Sequence, residues 1–172
     1  MINAIFATDI NGAMGNGGTL PWPHNHHDMK RFQDLTMGHV VVMGRKTWDD
    51  PKFPKPLPGR ICYVLTNRPD GLPLYGRPVT GDIPLALAQI QKSHPNQHVF
   101  VLGGPDVLLA AQPYLDFIYY TSIKGQHRAD VRIQLKEFLT GFQVKRCDTS
   151  PDFSCSFLKY ENIFKRPLPS IE

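Results

Sequence analysis

Cysteine is scarce in this chain and odd in number. The three present, Cys62, Cys147 and Cys155, show no C-x-x-C spacing, which fits neither a disulfide framework nor a structural zinc site. They read as reduced thiols in a cytoplasmic setting. Nor does any stretch approach the roughly 18 apolar residues of a membrane span. The opening MINAIFATDING has no basic leader and no small-residue cleavage site, so a soluble, unexported protein with no membrane partner is expected. A compact basic block is missing too. Lys30, Arg31, Arg45, Lys46, Arg60, Arg68 and Arg77 are scattered, which argues against nucleic acid as a partner. There is no internal repeat, and the full G-x-G-x-x-G fingerprint is absent.

What remains is a chain of 172 residues, 41% hydrophobic, with a net charge of +4. That length and composition suit a single domain over residues 1–172 with a real core. The positive balance favours anionic small molecules, phosphorylated or carboxylated. Strand-length apolar runs recur at residues 3–7, 39–43, 61–66, 98–103 and 117–123. Helical spacing appears between them at residues 27–37, where Met29, Phe32 and Leu35 share a face, and at residues 84–93 and 105–115. Strands alternating with helices predict an α/β fold around a mostly parallel sheet covered on both faces. The near-continuous apolar VVVM and VFVL support burial on both sides. Residues 141–147 and 155–164 read as a closing antiparallel pair around DTSPDFS. Of sixteen prolines, several crowd DDPKFPKPLPGR at residues 49–60, a stiff ordered loop rather than a linker.

Three strand ends carry groups that suit phosphate. Gly103 and Gly104 stand between a strand and a helix that opens on Pro105, where backbone N–H groups can approach an anion. A lone Gly-Gly is as readily a tight turn with no ligand. At Gly44, Arg45, Lys46 and Thr47 a basic pair opens a helix against its dipole, which implies a nearby negative charge. Thr66, Asn67 and Arg68 end a third strand. Together they suit a dinucleotide in the crevice beyond a parallel sheet.

The stretch LPWPHNHHDMKRF holds His24, His26, His27 and Asp28 within five positions. Neighbours on a helix do not face one another, and no second Cys or His cluster completes a shell, so no metal is expected. Asp28 shares a face with Phe32, turned toward the core or a cleft. An acid complementing the helix dipole accounts for it equally well.

The motifs GAMGNGGTLPW (12–22), Asp28 with Phe32, VVMGRKTW (41–48), PLPGR (56–60), VLGG (101–104) and Thr121 in YYTSI together resemble dihydrofolate reductases over nearly the whole chain. The resemblance implies a three-layer fold, with helices flanking an eight-stranded, mostly parallel mixed sheet that has an antiparallel C-terminal strand. It also implies NADPH-dependent reduction of 7,8-dihydrofolate to tetrahydrofolate, in a cytoplasmic enzyme serving one-carbon and thymidylate metabolism. Antifolate inhibitors are expected to bind, and a monomer is expected. By the same resemblance Asp28 holds the pterin amino group and adjacent ring nitrogen. Trp22 with an ordered water neighbours the ring, and Leu20 admits water to it. Ile5, Phe6, Ala7, Met29, Phe32, Phe53 and Leu102 line the substrate pocket, with Leu57 beside the aminobenzoyl group. Arg60 pairs with the α-carboxylate of the tail, and Thr121 bonds the pocket carboxylate. NADPH would meet Ala7, Met14, Asn16, Gly18, Thr19, Leu20, Gly44, Arg45, Lys46, Thr47, Leu65, Thr66, Asn67, Arg68 and Leu102. It would also meet Gly103, Gly104, Pro105, Asp106, Val107 and Leu108, with the two glycines joined by a cis peptide.

Some positions depart from the family pattern. Leu108 stands where many relatives carry a tyrosine near the nicotinamide. Asp106 stands where some place an arginine on the 2′-phosphate, which leaves selectivity for NADPH over NADH to Arg45 and Arg68. Arg31 replaces an often apolar residue, and PKFPKP lengthens a loop in which Phe53 faces the pocket. The reductase domain of riboflavin synthesis shares the architecture but explains neither PLPGR nor Asp28 with Phe32. A non-catalytic binding protein would not need Asp28, Trp22 and the glycine pair together.

Overall fold

The strand β1 (Ile2–Asp9) is buried along almost its whole length, as a run apolar on both sides of its alternation demands. The computed structural model describes residues 1–55, 57–68, 70–72, 76–79 and 81–171; Pro56 of the PLPGR stretch lies outside them. After β1 come β2 (Ala13–Gly15), α1 (His26–Thr36), β3 (Val40–Gly44), α2 (Arg45–Trp48), β4 (Ile61–Leu65), β5 (Gly76–Val79) and α3 (Ile83–Ser93). Then follow β6 (Val99–Gly103), α4 (Pro105–Ala111), a 3₁₀ turn (Gln112–Tyr114), β7 (Phe117–Ile123), β8 (Val131–Arg132), α5 (Leu135–Phe138), β9 (Phe142–Thr149) and β10 (Cys155–Asn162).

Eight strands form one sheet in the order β5-β4-β3-β6-β1-β7-β10-β9. The first six are parallel, and β10 runs antiparallel between β7 and β9, as expected. The elements missed by apolar periodicity are short or broken by proline. β5 contains Pro78 at the sheet edge, where a lost ladder N–H is tolerated. β2 and β8 pair as a separate two-stranded ribbon. The helix expected at residues 105–115 ends at Ala111 and tightens into the 3₁₀ turn that contains Pro113, as a ring without an N–H would impose.

Period-two alternation sorts the sheet's side chains into two cores. Ile2, Ala4, Phe6, Val40, Val42, Val99, Val101, Ile118 and Tyr120 face α3, α4 and α5 with Leu87, Leu108 and Phe138. Ile5, Val41, Met43, Cys62, Val64, Phe100 and Leu102 face the other way, toward Phe32 and Leu35 of α1 and Trp48 of α2. Among the described residues no helix is long and apolar enough to cross a membrane.

The end of β1 is tied down by a fully buried carboxylate. Asp9 Oδ1 accepts from the backbone N–H of Asn11 and Ala13, at 2.9 and 3.0 Å. Its Oδ2 accepts from the backbone N–H of His127 at 2.7 Å and lies 3.3 Å from that ring's Nδ1. Burial alone would raise this acid's pKa, but the three backbone donors and the imidazole outweigh it and hold the group below the usual value. Asp9 therefore joins the loop after β1 to the loop after β7.

Asp9→Ala takes the acceptor from three backbone donors, one buried and two half-buried, at about 1 to 3 kcal/mol each. We expect a loss of at least about 3 kcal/mol in urea denaturation at neutral pH. The folded pKa is depressed, so the stabilisation is complete above the unfolded value near pH ~4. It disappears as pH falls through the folded value, and the gap between parent and variant should narrow in acid.

Candidate active site

Asn25 fixes where the first helix begins. Its side-chain oxygen accepts from the backbone N–H of Asp28 at 3.0 Å, and its amide donates to Ser154 Oγ at 2.9 Å. The cap thus ties α1 to the turn between β9 and β10 and places Asp28 in the first helical turn. That turn favours an anion through the helix dipole. Asn25 escaped the reading of the sequence, although a capping asparagine directly before an amphipathic run is a recognisable signal.

Asp28 is partly buried, and the hydroxyl of Thr121 on β7 hydrogen-bonds it. Desolvation raises its pKa, while Thr121 and the positive charge of Arg31 pull in the opposite direction without cancelling the rise. Phe32, one turn on in α1, packs with Ile5 of β1, and Met29 follows Asp28 in the helix. Trp22 is 6% exposed and packs with Ile123, Cys155, Ala7 and Phe157, its ring edge-on to His127 at 6.0 Å. Leu57 and Phe53 pack on the same core, Phe53 with its ring 6.4 Å from that of Trp48. Arg60 donates through Nη1 to Thr36 Oγ1 at 3.3 Å and through Nε to the Pro58 carbonyl at 3.1 Å, its guanidinium 5.8 Å from the Phe32 ring.

Two residues named as ligand contacts turn their side chains into the core. Phe6, named for the substrate pocket, directs its side chain through the opposite face, where it packs against Tyr120 and Phe138 at 5.4 Å. Alternation along β1 dictates this, since Ile5 and Ala7 point toward α1. Leu108, named for the cofactor, is wholly enclosed in the core with Ile2, Leu87 and Ala111. An apolar side chain in the place of a tyrosine has no polar end to bring to the surface.

The carboxyl ends of the parallel strands gather the other predicted residues along one edge. Gly103 and Gly104 are joined by a cis peptide. A methyl group placed on Gly44 would lie 3.6 Å from the Gly103 carbonyl oxygen and 3.3 Å from Val107 Cγ2. One placed on Gly103 would lie within 4 Å of Thr47 Oγ1 and Met14 Cε. One on Gly104 would meet nothing within 4 Å, so the turn opens onto free space. Leu102 stands just before the turn, with Pro105 and exposed Asp106 just after it.

Arg45 is already engaged. Its Nε lies 3.0 and 3.1 Å from the Asp49 carboxylate, and its Nη1 donates to the carbonyls of Arg68 and Asp70 at 2.8 and 3.2 Å. Part of the negative charge implied at this basic helix start is thus Asp49, one turn on. Arg45 also braces the next loop, in which Thr66 Oγ1 bonds the backbone of Arg68, while Lys46, Asn67 and Arg68 are exposed. Leu65 packs on the α3 and α4 side of the sheet.

The loop that ends at Leu20 is a tight hairpin. Asn16 and Thr19 exchange backbone hydrogen bonds at 2.8 and 3.3 Å around Gly17 and Gly18, which have φ of +61° and +84°. Two successive positive φ values suit a two-residue turn that glycine enters freely. The Asp130 carboxylate accepts from Gly17 N–H at 3.0 Å. Leu20 is 44% exposed, and the buried Thr19 hydroxyl has no hydrogen-bond partner among the described residues. An exposed leucine beside an unsatisfied hydroxyl suits a surface that another molecule covers. The crowded histidines make no such hollow. His24 and His26 are exposed, and His27 Nε2 lies 3.7 Å from Asp152. Among the described residues no three His, Cys, Asp or Glu side chains converge as metal ligands.

Gly17→Ala with Gly18→Ala places β-carbons in open space, so the penalty is conformational, about 1 to 2 kcal/mol per residue for left-handed backbone. We expect faster amide exchange across residues 13–20 and a lower urea midpoint, the lost stability being no more than the summed penalty of about 2 to 4 kcal/mol.

The family model described as Dihydrofolate reductase matches residues 1–162. The chain is 31% identical over 146 residues to dihydrofolate reductase type 8 of Escherichia coli, covering 83% of this chain and 85% of that protein. It is 37% identical over 115 residues to the dihydrofolate reductase of Mycobacterium tuberculosis, covering 66% of each. It is 35% identical over 130 residues to that of Bacillus subtilis, covering 76% of this chain and 73% of that one. Among solved structures, a dihydrofolate reductase from Enterococcus faecalis complexed with NADP(H) and RAB-propyl shares the fold. Its TM-score is 0.76 at 24% identity, covering 94% of this chain and 95% of that one.

Proposed function

The chain belongs to the dihydrofolate reductase family and carries out NADPH-dependent reduction of 7,8-dihydrofolate to tetrahydrofolate, and we propose that Asp28 is the side chain on which this chemistry turns. The supporting observation is a carboxylate half-withdrawn from water and hydrogen-bonded by Thr121, one helical turn before Phe32, which packs with Ile5. In that setting an ionised acid grips a flat amidine-like edge in a charge-assisted, bidentate contact. Phe32, Leu57 and Phe53 flank the ring and the aminobenzoyl group, and Arg60 receives the tail's α-carboxylate. Leu102 closes the floor beside Ile5.

The open turn at Gly103 and Gly104, with Thr47, Met14 and Gly44 gathered round it, fits a pyrophosphate, and the unpartnered Thr19 hydroxyl fits a polar group laid beside it. NADPH when bound supplies the hydride. Thr66, Asn67 and Arg68 would hold the 2′-phosphate, with Lys46 near the phosphates and Pro105, Asp106 and Val107 at the rim of the turn. Ala7, Asn16, Gly18 and Leu20 would face the nicotinamide side. Asp28 acts from the pterin's amino edge. It raises the basicity of N5 while water passing Leu20 delivers the proton there, since the carboxylate lies across the ring from N5. The hairpin 16–19 serves as a lid that excludes bulk water.

One domain over residues 1–172, working as a cytoplasmic monomer on small molecules rather than nucleic acid, completes the reading. A single sheet drawing strands from Ile2 to Asn162 supports it, as do basic residues scattered along the chain. Antifolates, as flat cationic heterocycles, would compete for Asp28.

The test is the loss of absorbance at 340 nm with NADPH and dihydrofolate, repeated with NADH. Asp28→Asn should slow hydride transfer by about 10² to 10⁴, with partial recovery at low pH. Because burial raises the Asp28 pKa, its ionised form costs folding free energy, a cost absent in acid that grows as pH rises through the folded pKa. The same variant should therefore unfold at a higher urea midpoint at neutral pH. Turnover at the parental rate would remove Asp28 from the mechanism. Arg68→Ala should raise KM for NADPH by about tenfold and leave KM for NADH unchanged, as loss of one charge-assisted phosphate contact predicts.

A further inference from the structure

Arg31 lies one helical turn beyond Asp28, where side chains at i and i+3 share a face and lean toward the helix start. Its side chain is half-buried rather than extended into solvent. The guanidinium sits 4.8 Å from the ring centre of Phe157 on β10 and 5.7 Å from that of Tyr119 on β7. Its Nη1 is sealed from water with no hydrogen-bond partner, and among the described residues no carboxylate forms an ion pair with it. A buried donor left unmade is costly, and two aromatic faces compensate only in part. Nothing in the packing of α1 demands a cation here.

We propose that Arg31 is a positioning residue for the reduction: clamped between Tyr119 and Phe157, it holds the Asp28 carboxylate in its charged, pterin-gripping form and so sets the pH range of the enzyme. This rests on the role proposed for Asp28. The groups that face the pair are few. On α1 there is His27, drawn toward Asp152 at 3.7 Å. On β7 there are the hydroxyls of Thr121 and Tyr119, on β9 Asp148, and on β10 the thiol of Cys155. Lys30 and Asp34 line the same hollow as Arg31 and pair with each other at 2.8 Å, and Lys159 lies over the Tyr119 ring at 5.4 Å; Arg31 is the cation whose charge acts on Asp28. Asp28 and Arg31 shift the opposite way from an isolated ion pair. Burial dominates in both, raising the acid and lowering the base, and their mutual attraction opposes it in both.

Removing the charge makes proton uptake easier for Asp28 and for pterin N5 alike, so the sign holds whichever atom titrates. In Arg31→Met the Asp28 carboxyl, followed by ¹³C NMR in the ligand-free enzyme and identified by its disappearance in Asp28→Asn, should titrate about one pH unit higher. Hydride transfer, which falls as the proton is lost, should keep its low-pH plateau and move its decline alkaline by a similar amount. Arg31→Lys should return both midpoints toward the parent. A cavity of about 330 Å³ lined by His27, Lys30, Arg31, Asp34, Leu35 and Phe157 gives the shorter side chain room. If Arg31→Met fails to fold, Arg31→Gln against Arg31→Lys makes the same comparison. A folded neutral variant whose Asp28 midpoint and pH profile match the parent's overturns the proposal. If Asp28→Asn itself keeps full turnover, the role of Asp28 fails instead, and the NMR midpoint still reports on the Arg31 coupling.

Discussion

Six parallel strands are the constraint on which the rest depends. Because β5, β4, β3, β6, β1 and β7 run the same way, their carboxyl ends, and the glycine-bearing loops that follow β3 and β6, share one edge. A crossover between parallel strands must travel the full length of the sheet, so each strand leaves at that edge and returns at the other. Gly44, Thr47, Gly103 and Gly104 are therefore brought together by direction alone, though nearly sixty residues separate the two pairs in the chain. Asp28 reaches the same region from α1, which lies across the sheet face between β1 and β3.

On that frame the chemistry is a contest over one negative charge. Withdrawing Asp28 from water disfavours its ionised form. The Thr121 hydroxyl, the start of α1 and the neighbouring guanidinium of Arg31 favour it. The balance still leaves the acid above its ordinary pKa, which suits the role proposed for it. Stability and function pull apart here, as they often do where a charge is kept partly dry.

Two side chains outside the ligand contacts give the site its shape. Asn25 couples the start of α1 to the β9–β10 turn, so the position of Asp28 depends on strands at the far edge of the sheet. Asp9 couples the loop after β1 to the loop after β7, and Asp130 from that second loop holds the tip of the 16–19 hairpin. Asp9 works mainly through backbone N–H groups, which leave no mark of residue type, whereas Asn25 joins a backbone N–H to the Ser154 hydroxyl more than a hundred residues away.

Alternation and helical spacing carried the fold class and the order of the long elements, and the motifs around Asp28, Gly44 and Gly103 named the residues proposed for the site, because each is a local regularity written within about ten residues. β5 and the β2–β8 ribbon were not legible, since strands of two to four residues with a proline or glycine bury too little to leave a periodic trace. The turning away of Phe6 follows from strand alternation once the pocket face is known, and only the packing of α1 against Ile5 and Phe100 reveals which face that is. Leu108 is apolar by sequence and interior by tertiary context. Arg31 reads as a cation beside the pocket in place of an often apolar residue, and only the rings of β7 and β10 show what it packs against. Local order was set by covalent neighbours, whereas the burial of a charge depends on what distant strands bring beside it.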